Sequence, residues 1–360
     1  MMDRKTRRIL GWIAVAAVVA AIVVVIVVLA GKKQPPGKEG APGGSTTPPV
    51  DKGAASLPGP GSGQAGIKPA PEPAKEVPRP NPQIGEAEAN RLFQDGLKLS
   101  RAGKYIDARE ALSKAVFSEK LSAAEAEKAR DELWYLAQTT IFSIHVFPGD
   151  PYTFAYEFKR GDRLADRRVG GRPQPGLVTA MDLRVPAAAI ELANGIPATK
   201  FEAGRKYKLI RGPFHAVVHK AIFAMDIYLQ RGKDDPKIFI RRLRVGLGKD
   251  GSTPSGSWRV QAKVGGKGTH AVWYPPANSG LRGPIKYGQK GYAFGEKGLW
   301  IAIEGLDADT KDAQGYGIHS TNDPSSVGKE SSLGCIRLCD EDIQFVFDVL
   351  YEDQSTVWIR

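Results

Sequence analysis

A cysteine and a histidine lie close together near the end of this 360-residue chain, in the stretch GIHSTNDPSSVGKESSLGCIRL. His319 and Cys335 are separated by fifteen residues that are rich in Ser, Gly, Asn and Pro. A cysteine is an effective nucleophile when a base or cation stabilises its thiolate and when N–H groups face the oxyanion that forms. The pair therefore predicts either thiol-based acyl transfer or a polar turn beside a small, buried, inert cysteine.

Two neighbours of Cys335 favour the catalytic interpretation. Gly334 allows the backbone to approach a substrate closely, so the N–H groups of Gly334 and Cys335 are candidate oxyanion donors. In an extended segment Arg337 projects on the same side as Cys335, where a guanidinium can bind a carboxylate in bidentate fashion. A zinc site of Cys335, Cys339 and His319 is disfavoured, because the cysteines are four residues apart and no fourth ligand is evident. We expect no metal and no cofactor.

The same stretch, extended to YGIHSTNDPSSVGKESSLGCIRL, resembles the active-site signature of the YkuD-type L,D-transpeptidases. In that family a His followed by Gly or Ser and a Thr-like residue is joined by a short loop to Ser-x-Gly-Cys-x-Arg or -Asn. His319 and residues 332–337 fit this pattern, and residues 253–256 fit a second landmark, a Thr-Pro-x-Gly turn that enters a strand. Leu333 departs from the pattern, since many members have a histidine there.

The resemblance implies a mainly β catalytic domain, over residues 212–360, that acts on peptidoglycan stem peptides. Cys335 would attack the carbonyl before the terminal D-alanine, release D-alanine and hold the acyl group as a thioester. A side-chain amine of a second stem would resolve the thioester into a 3→3 cross-link. Water as the acceptor would make the enzyme an L,D-carboxypeptidase. An inactive peptidoglycan-binding scaffold is a further alternative, and the intact Cys–His–Arg set argues against it.

The resemblance also implies roles for the residues around the nucleophile. His319 would act as general base and then as general acid, and the backbone carbonyl of Ser320 would orient its imidazole. Gly334 would supply an oxyanion N–H. The residues expected to bind the substrate are Arg337, Ser332 and Tyr316.

Two nearby features leave alternatives open. We expect residues 264–291, a glycine-rich segment with Tyr274 and Tyr287, to form a lid over the cleft. Cys339 could form a disulfide with Cys335 in an oxidising compartment and so silence it. A partly buried free thiol is the favoured interpretation, because the geometry of a disulfide at this spacing is uncertain.

The N-terminus carries a membrane signal. Residues 1–8 contain four basic side chains, and residues 9–30 contain no charge and no proline. Twenty-two residues rise about 33 Å as a helix, enough to cross a hydrocarbon core of about 30 Å. We therefore expect a cytoplasmic tail at 1–8 and a single-pass anchor at 9–30 in the inner membrane, with the C-terminal domains on the periplasmic or extracytoplasmic side. A cleaved signal peptide is the alternative, although its apolar core is usually shorter.

Two segments follow the anchor. Residues 31–82 are rich in Pro and Gly and have almost no large apolar residues, which predicts a disordered linker. Residues 83–142 show three-four apolar spacing with a break at Gly103 and a capping box at Ser122 and Glu125, which predicts a small all-α hairpin and a third helix. The first two helices resemble one tetratricopeptide repeat, so this segment either binds a protein partner or packs on its neighbours.

Residues 143–211 resemble a LysM module, an α+β unit that binds N-acetylglucosamine-containing glycans such as peptidoglycan. YEFKRGDRL, VPAAAIELANGI and FEAGRKYKL match its blocks: a strand with a Gly-Asp turn, two short helices, and an Asn-Gly before a closing strand. The insertion of about twenty residues between Leu164 and Val185 is longer than the module usually allows. Glycan binding and a purely structural spacer therefore both stay open.

Net charge and the absence of nucleic-acid-binding motifs limit the classes of partner that we expect. The net charge of +12 suits nucleic acid, an anionic membrane or an anionic wall polymer. The sequence has no zinc finger, RNA-recognition motif or tight basic helix, so we expect no nucleic-acid partner. We expect peptidoglycan stem peptides and glycan strands instead.

The predicted fold is multidomain: a transmembrane helix, a linker, an all-α hairpin, an α+β LysM-like module and a mainly β catalytic domain. Short β-branched and aromatic runs bounded by Gly and Pro predict the strands after Phe214. Near the end, DEDIQFVFDVLY predicts a helix with Ile343, Phe347 and Leu350 on one face, and STVWI predicts a last strand.

Overall fold

The computed structural model of the chain describes residues 84–164, 181–266, 268–275 and 279–360, together with the backbone of two short strands at 167–169 and 172–174. The predicted cytoplasmic tail, anchor and linker, at 1–8, 9–30 and 31–82, lie outside the described residues. Among the helices that the structure describes, none is both long enough and apolar enough to cross a membrane.

Three helices begin the described part of the chain, where the apolar spacing predicts them. Ser122 caps the third helix in the predicted capping box, because its Oγ accepts the Glu125 N–H and the Glu125 carboxylate accepts the Ser122 N–H. The first two helices pack closely at Gly96, where a Cβ would lie 2.5 Å from Leu112 Cγ. The three helices are α1 Glu86–Arg101, α2 Tyr105–Phe117 and α3 Ala123–Thr140.

One eight-stranded sheet carries the site, as the short β-branched runs predict. Its strands are β5 Phe214–His219, β6 Ala224–Leu229, β7 Ile238–Arg244, β9 Gly256–Val264, β10 Trp300–Gly305, β11 Gly317–Ser320, β13 Ile336–Leu338 and β14 Thr356–Ile359. The order across the sheet is β13-β11-β10-β9-β14-β5-β6-β7. Only the pairs β11–β13 and β14–β5 are parallel in this sheet of the described chain.

Six shorter strands form three two-stranded pairs outside that sheet. β1 pairs with β4 and β2 with β3, both antiparallel, whereas β8 pairs with β12 in parallel. Their bounds are β1 Thr153–Glu157, β2 Arg167–Val169, β3 Arg172–Gln174, β4 Lys206–Ile210, β8 Leu247–Gly248 and β12 Glu330–Ser332.

Helix α5, Asp340–Val349, follows β13 directly and packs on the sheet. Its buried side chains are Ile343, Val346 and Val349, whereas Phe347 is only half-buried. The predicted helix is confirmed. Ile343 and Leu350 are buried in the main apolar core and Phe347 packs against it, so the three residues predicted to share a face all contact this core.

The LysM-like segment contains part of the expected arrangement. Strands β1 and β4 form its sheet, and helix α4, Ala187–Asn194, ends at Gly195 with φ 65°. Only this one α-helix and a 3-10 turn at Ala198–Lys200 occur in its described residues, 143–164 and 181–211, where two helices were expected between the strands. Residues 167–174 carry the β2–β3 pair within the long insertion.

The LysM-like segment and the large sheet share one apolar core. Leu183 and Ile190 belong to the same buried cluster as Trp258 of β9 and Ile343 of α5. Helices α1 to α3 have a second cluster, which includes Phe239 of β7. This continuity fixes the sheet between two flanking layers and favours a structural role for both upstream segments.

Candidate active site

The parallel pair β11–β13 brings the predicted catalytic residues together. Ile318 lies opposite Ile336 and His319 opposite Arg337, while Cys335 immediately precedes β13. Because side chains alternate along a strand, Cys335 and Arg337 project to the face that also carries His319. Two residues that are sixteen positions apart in sequence are thus held on adjacent strands.

His319 is fixed in one orientation. Its Nδ1 lies 2.6 Å from the carbonyl oxygen of Ser320, and since a carbonyl only accepts, Nδ1 carries the proton. The ring packs against Trp300 at 5.6 Å and Phe294 at 4.9 Å between ring centroids, and the residue is only 5% exposed. This tautomer leaves Nε2 unprotonated and able to accept a proton, the role expected for the base.

The turn before Cys335 requires glycine. Gly334 has φ 130°, and a Cβ there would lie 2.7 Å from Tyr316 Cε1 and 3.0 Å from the Ser252 carbonyl oxygen. A side chain would meet both strain and a clash at this position. Tyr316, which was expected to bind substrate, therefore also forms one wall of the nucleophile turn.

Ser332 is placed differently from its expected role. It is buried, its Oγ donates to the Cys335 carbonyl at 2.7 Å, and it accepts the Gly334 N–H at 3.1 Å. The structure thus places Ser332 beneath the turn rather than toward substrate, and it directs the Gly334 N–H away from the expected oxyanion. Of the two donors considered from the sequence, the N–H of Cys335 becomes the better candidate.

Thr253 is a positioning residue whose contact the sequence did not reveal. Its buried Oγ1 donates to the Gly334 carbonyl at 2.9 Å and accepts the Gly248 N–H at 2.7 Å. These two bonds tie the Thr-Pro-x-Gly turn to the peptide that precedes Cys335. The Thr-Pro-x-Gly motif was the available signal. It predicted a turn at Thr253 but not that the Thr253 side chain bonds to Gly334.

Arg337 lies beside both reactive side chains. Its backbone pairs with Gly246 in both directions at 2.9 Å, and its side chain is half-buried. Its guanidinium charge acts on Cys335 and on His319, lowering the pKa of each, although burial is the larger influence on both. The buried Nε has no acceptor among the described residues, and Nη1 lies 3.5 Å from Ser331 Oγ.

The resting nucleophile and base are both neutral. Burial raises the pKa of the Cys335 thiol to about 11, even though part of the residue remains accessible, and burial lowers the pKa of His319 to about 4. The Gly317 N–H and the Gly315 carbonyl lie beside the sulfur, the latter at 3.7 Å. A thiolate paired with an imidazolium is therefore disfavoured in this state, because burial penalises both charges.

The predicted lid segment borders His319. Tyr292 and Phe294, just beyond residue 291, form a small apolar cluster with Ala271 and Ile285. The Asn322 amide donates to the Tyr292 carbonyl at 2.8 Å, and Phe294 contacts the His319 ring. Tyr274 and Tyr287 stay largely exposed, at 71% and 50%. The segment is thus anchored next to the base and presents aromatic side chains to solvent.

Both cysteines are free thiols. Cys339 Sγ donates to Asp342 Oδ2 at 3.1 Å at the start of α5. The extended strand β13 separates the two cysteines by about 13 Å between Cα atoms, beyond the reach of a disulfide. Leu333, which departs from the family pattern, is 55% exposed on the same turn.

Residues 214–359 match the family model of YkuD, the L,D-transpeptidase catalytic domain. The chain is 34% identical over 107 residues to the putative L,D-transpeptidase YqjB of Bacillus subtilis, covering 29% of this chain and 52% of that protein. It is 60% identical over 30 residues to the putative L,D-transpeptidase YkuD of Bacillus licheniformis, covering 8% of this chain and 18% of that protein. The chain thus spans about half the length of the first curated relative and less of the second.

Among solved structures, the chain is similar to an L,D-transpeptidase from Mycobacterium smegmatis, at 15% identity and a TM-score of 0.30 over 44% of this chain and 63% of that one. It is also similar to L,D-transpeptidase 3 from Mycobacterium tuberculosis, at 14% identity and a TM-score of 0.30 over 44% and 66%. The match to the family model covers β5 to β14 and includes Cys335, His319 and Arg337. Residues 214–359 of this chain thus match the L,D-transpeptidase catalytic domain of the YkuD family.

Proposed function

We propose that the chain is a peptidoglycan L,D-transpeptidase whose nucleophile is Cys335. The observation that carries the proposal is the placement of Cys335 and Arg337 beside His319, whose Nδ1 is fixed by the Ser320 carbonyl so that Nε2 is free to act as a base. The family match and the relatives named L,D-transpeptidase support the same reaction class.

Because the Cys335 thiol and the His319 imidazole are both neutral at rest, the thiol must lose its proton during the first step. As Cys335 Sγ bonds to the carbonyl carbon before the terminal D-alanine, the thiol proton passes to His319 Nε2. The oxyanion accepts from the Cys335 N–H, while Arg337 holds a carboxylate of the donor stem. Collapse breaks the C–N bond, His319 returns the proton to the leaving amine, and a thioester remains.

The second step regenerates the thiol. His319 takes a proton from the side-chain amine of a neighbouring stem as that amine attacks the thioester. Breaking the C–S bond gives the 3→3 cross-link, and the proton returns to the Cys335 sulfur. If water takes the place of the amine, the product is a tripeptide and the enzyme is an L,D-carboxypeptidase. The partial exposure of Cys335 allows water to reach the thioester and keeps this second function in consideration.

Product analysis separates the two reactions and the inactive scaffold. The full chain is incubated with disaccharide-tetrapeptides, and the products are identified by mass spectrometry. We expect dimers that lack one D-alanine. Tripeptides alone would assign the carboxypeptidase. No turnover, with binding to peptidoglycan sacculi retained, would assign a scaffold and overturn the proposal.

We also propose that residues 9–30 anchor the chain in the inner membrane with the catalytic domain outside the cytoplasm. The apolar run and its basic flank support this location. Alkaline carbonate extraction of membranes should leave the chain in the pellet, and protease added to spheroplasts should digest the catalytic domain. Release by carbonate, or protection from protease, would contradict the anchor or its orientation.

Two secondary proposals concern the upstream segments. The LysM-like segment would bind glycan, and the helices α1 to α3 would bind a protein partner. The continuous core with the catalytic sheet instead supports a structural role for both. Binding of the chain to immobilised glycan strands that lack stem peptides tests glycan binding directly, since the catalytic cleft then has no ligand. Full retention of the chain by such glycan strands would favour the module as a binding site.

A further inference from the structure

A cavity of about 770 Å³ lies between the helical layer and the half of the sheet that is remote from Cys335. Its walls come from the two residues before α1, the end of α2, the following loop and α3 on one side, and from β5, β6, β7 and β14 on the other. In the sheet order these strands are separated from β11 and β13 by β9 and β10. The proposed reaction uses none of the residues in this cavity.

The cavity is strongly cationic. Two acidic side chains line it, Glu119 and Asp226, together with His219. Five basic side chains outnumber them, and these are Lys120, Arg130, Lys237, Arg242 and Arg360. Like charges in a partly desolvated concave surface repel one another, and such a surface attracts an anionic partner.

The two carboxylates are already engaged by the protein. Asp226 accepts two hydrogen bonds from Arg242, at 2.6 Å each, and contacts His219 Nε2 at 2.8 Å. These contacts hold the pKa of the Asp226 carboxyl below its usual range, against the effect of burial. Glu119 accepts from Arg360. The cavity therefore keeps a net positive charge beyond these pairs.

Arg130 is a cation of this cavity that lacks a close partner among the described residues. In the described part of the chain it makes no hydrogen bond and no ion pair within 4.0 Å, yet it lines the cavity from α3 and is half-buried. Burial and the neighbouring Arg242 lower its pKa, and only more distant attraction to Asp226, Glu127 and Asp131 opposes them. Its five N–H donors fit an oxyanion better than they fit water in a crowded cationic space.

The remaining walls are apolar. They include Phe117 at the end of α2, Ile222 after β5 and Trp358 on β14. Ile222 is 57% exposed although it is a large aliphatic residue. A cavity of this volume, with apolar walls and a few convergent polar groups, is the usual form of a small-molecule site.

We propose that this cavity binds a small organic oxyanion, with its phosphate or carboxylate between Arg130 and Arg242 and its apolar body against Phe117 and Trp358. Lys237, whose ammonium lies 5.8 Å from the Phe117 ring centroid, adds positive charge on the same side. The site is independent of the catalytic reaction, so anion binding can be tested without measuring activity on peptidoglycan.

Isothermal titration of the full chain with three probes tests the site: inorganic phosphate, phenyl phosphate and benzoate, at constant ionic strength. We expect saturable binding of at least one aromatic probe, tighter than that of inorganic phosphate because the ring packs on the apolar wall. A preference for phenyl phosphate assigns a phosphate ligand, and a preference for benzoate assigns a carboxylate.

Substitutions of one arginine inside the cavity and one exposed arginine outside it show where the probes bind. Arg130→Gln should weaken it at least tenfold, Arg130→Lys should restore part of it, and Arg101→Gln, the same change at an exposed position outside the cavity, should leave it unchanged. Arg130 makes no bond whose loss endangers the fold, and urea unfolding of each variant checks this. The proposal is overturned if no probe saturates below about 10 mM, if Arg130→Gln binds as the parent does, or if Arg101→Gln loses affinity equally.

Discussion

At the scale of single residues, the site combines a buried base with a protected thiol. A neutral thiol is stable against oxidation and alkylation, and it becomes reactive only when a substrate carbonyl approaches and His319 can take the proton. The resemblance to the family signature singled out Cys335, His319 and Arg337 as the expected site residues. The sequence did not predict the charge state of the Cys335 thiol and the His319 imidazole, because that state depends on how completely the folded chain excludes water from each group.

The thiol reactivity of Cys335 should reflect its raised pKa of about 11. We expect its alkylation by iodoacetamide to accelerate about tenfold per pH unit from pH 7 to 10, since the thiolate fraction grows in that proportion. Peptide mass spectrometry separates this signal from that of Cys339. The urea-unfolded chain is the control, in which the rate should level off above about pH 9. A plateau below pH 7 in the folded chain would instead indicate a thiolate–imidazolium pair.

Thr253 should matter for catalysis although it does not contact the substrate. Thr253→Val removes the bonds to the Gly334 carbonyl and the Gly248 N–H, and we expect kcat/KM to fall about 10- to 100-fold because the nucleophile is displaced. Thr253→Ser keeps the hydroxyl and should retain most of the activity. Equal activity of the Val and Ser variants, measured as release of D-alanine, would contradict this positioning role.

At the scale of elements, the edge pair β11–β13 positions the chemistry while the upstream layers support the sheet. The sequence predicted helices α1 to α3 and the strands after Phe214, because their periodicities are regular. It did not predict that the LysM-like segment and the catalytic sheet share one apolar core. That outcome depends on how elements that are distant in sequence pack together, as Leu183 and Ile343 do.

The buried ion pair between Arg109 on α2 and Asp150 before β1 should hold the helical layer to the next segment. Both side chains are almost fully buried, with a distance of 2.8 Å between Nη2 and Oδ1. Arg109→Met should lower the free energy of unfolding by about 3–5 kcal/mol, because it leaves the Asp150 charge buried and unpaired. Urea unfolding measures this change.

A double-mutant cycle provides the control for that ion pair. Adding Asp150→Asn to Arg109→Met should recover part of the lost stability, since no unpaired charge then remains. Strictly additive losses in the double variant would contradict the pairing as the cause. Arg91, paired with Glu88 on the surface of α1, is the matched exposed arginine, and Arg91→Met should have little effect.

At the scale of the whole molecule, His319, which is buried, and His215, which is half-buried, should make stability depend on pH. Burial lowers the pKa of both His215 and His319 to about 4, below their unfolded value near 6.5. The unfolded chain therefore binds more protons between these values, so the free energy of unfolding should fall by a few kcal/mol from pH 6.5 to pH 4. Chemical unfolding across that range measures the slope.

His215→Asn is the matched variant for that slope. His215 accepts the Thr356 N–H at 3.1 Å and can be replaced by an amide that does not titrate. About half of the pH dependence should remain, because His319 still contributes. A slope that is unchanged in this variant, or stability that is constant from pH 6.5 to 4 in the parent chain, would contradict the buried neutral state.

The central claim is that Cys335 carries the acyl group of the donor stem as a thioester. The most direct test incubates the full chain with a disaccharide-tetrapeptide donor whose side-chain amine is acetylated, so that it cannot also act as the acceptor. The reaction is quenched in acid, and the adduct is located by peptide mass spectrometry. We predict an adduct equal to the donor minus D-alanine on the peptide that contains Cys335, and none in Cys335→Ala or in His319→Asn. An adduct on another residue, or D-alanine release that persists in Cys335→Ala, would contradict the account.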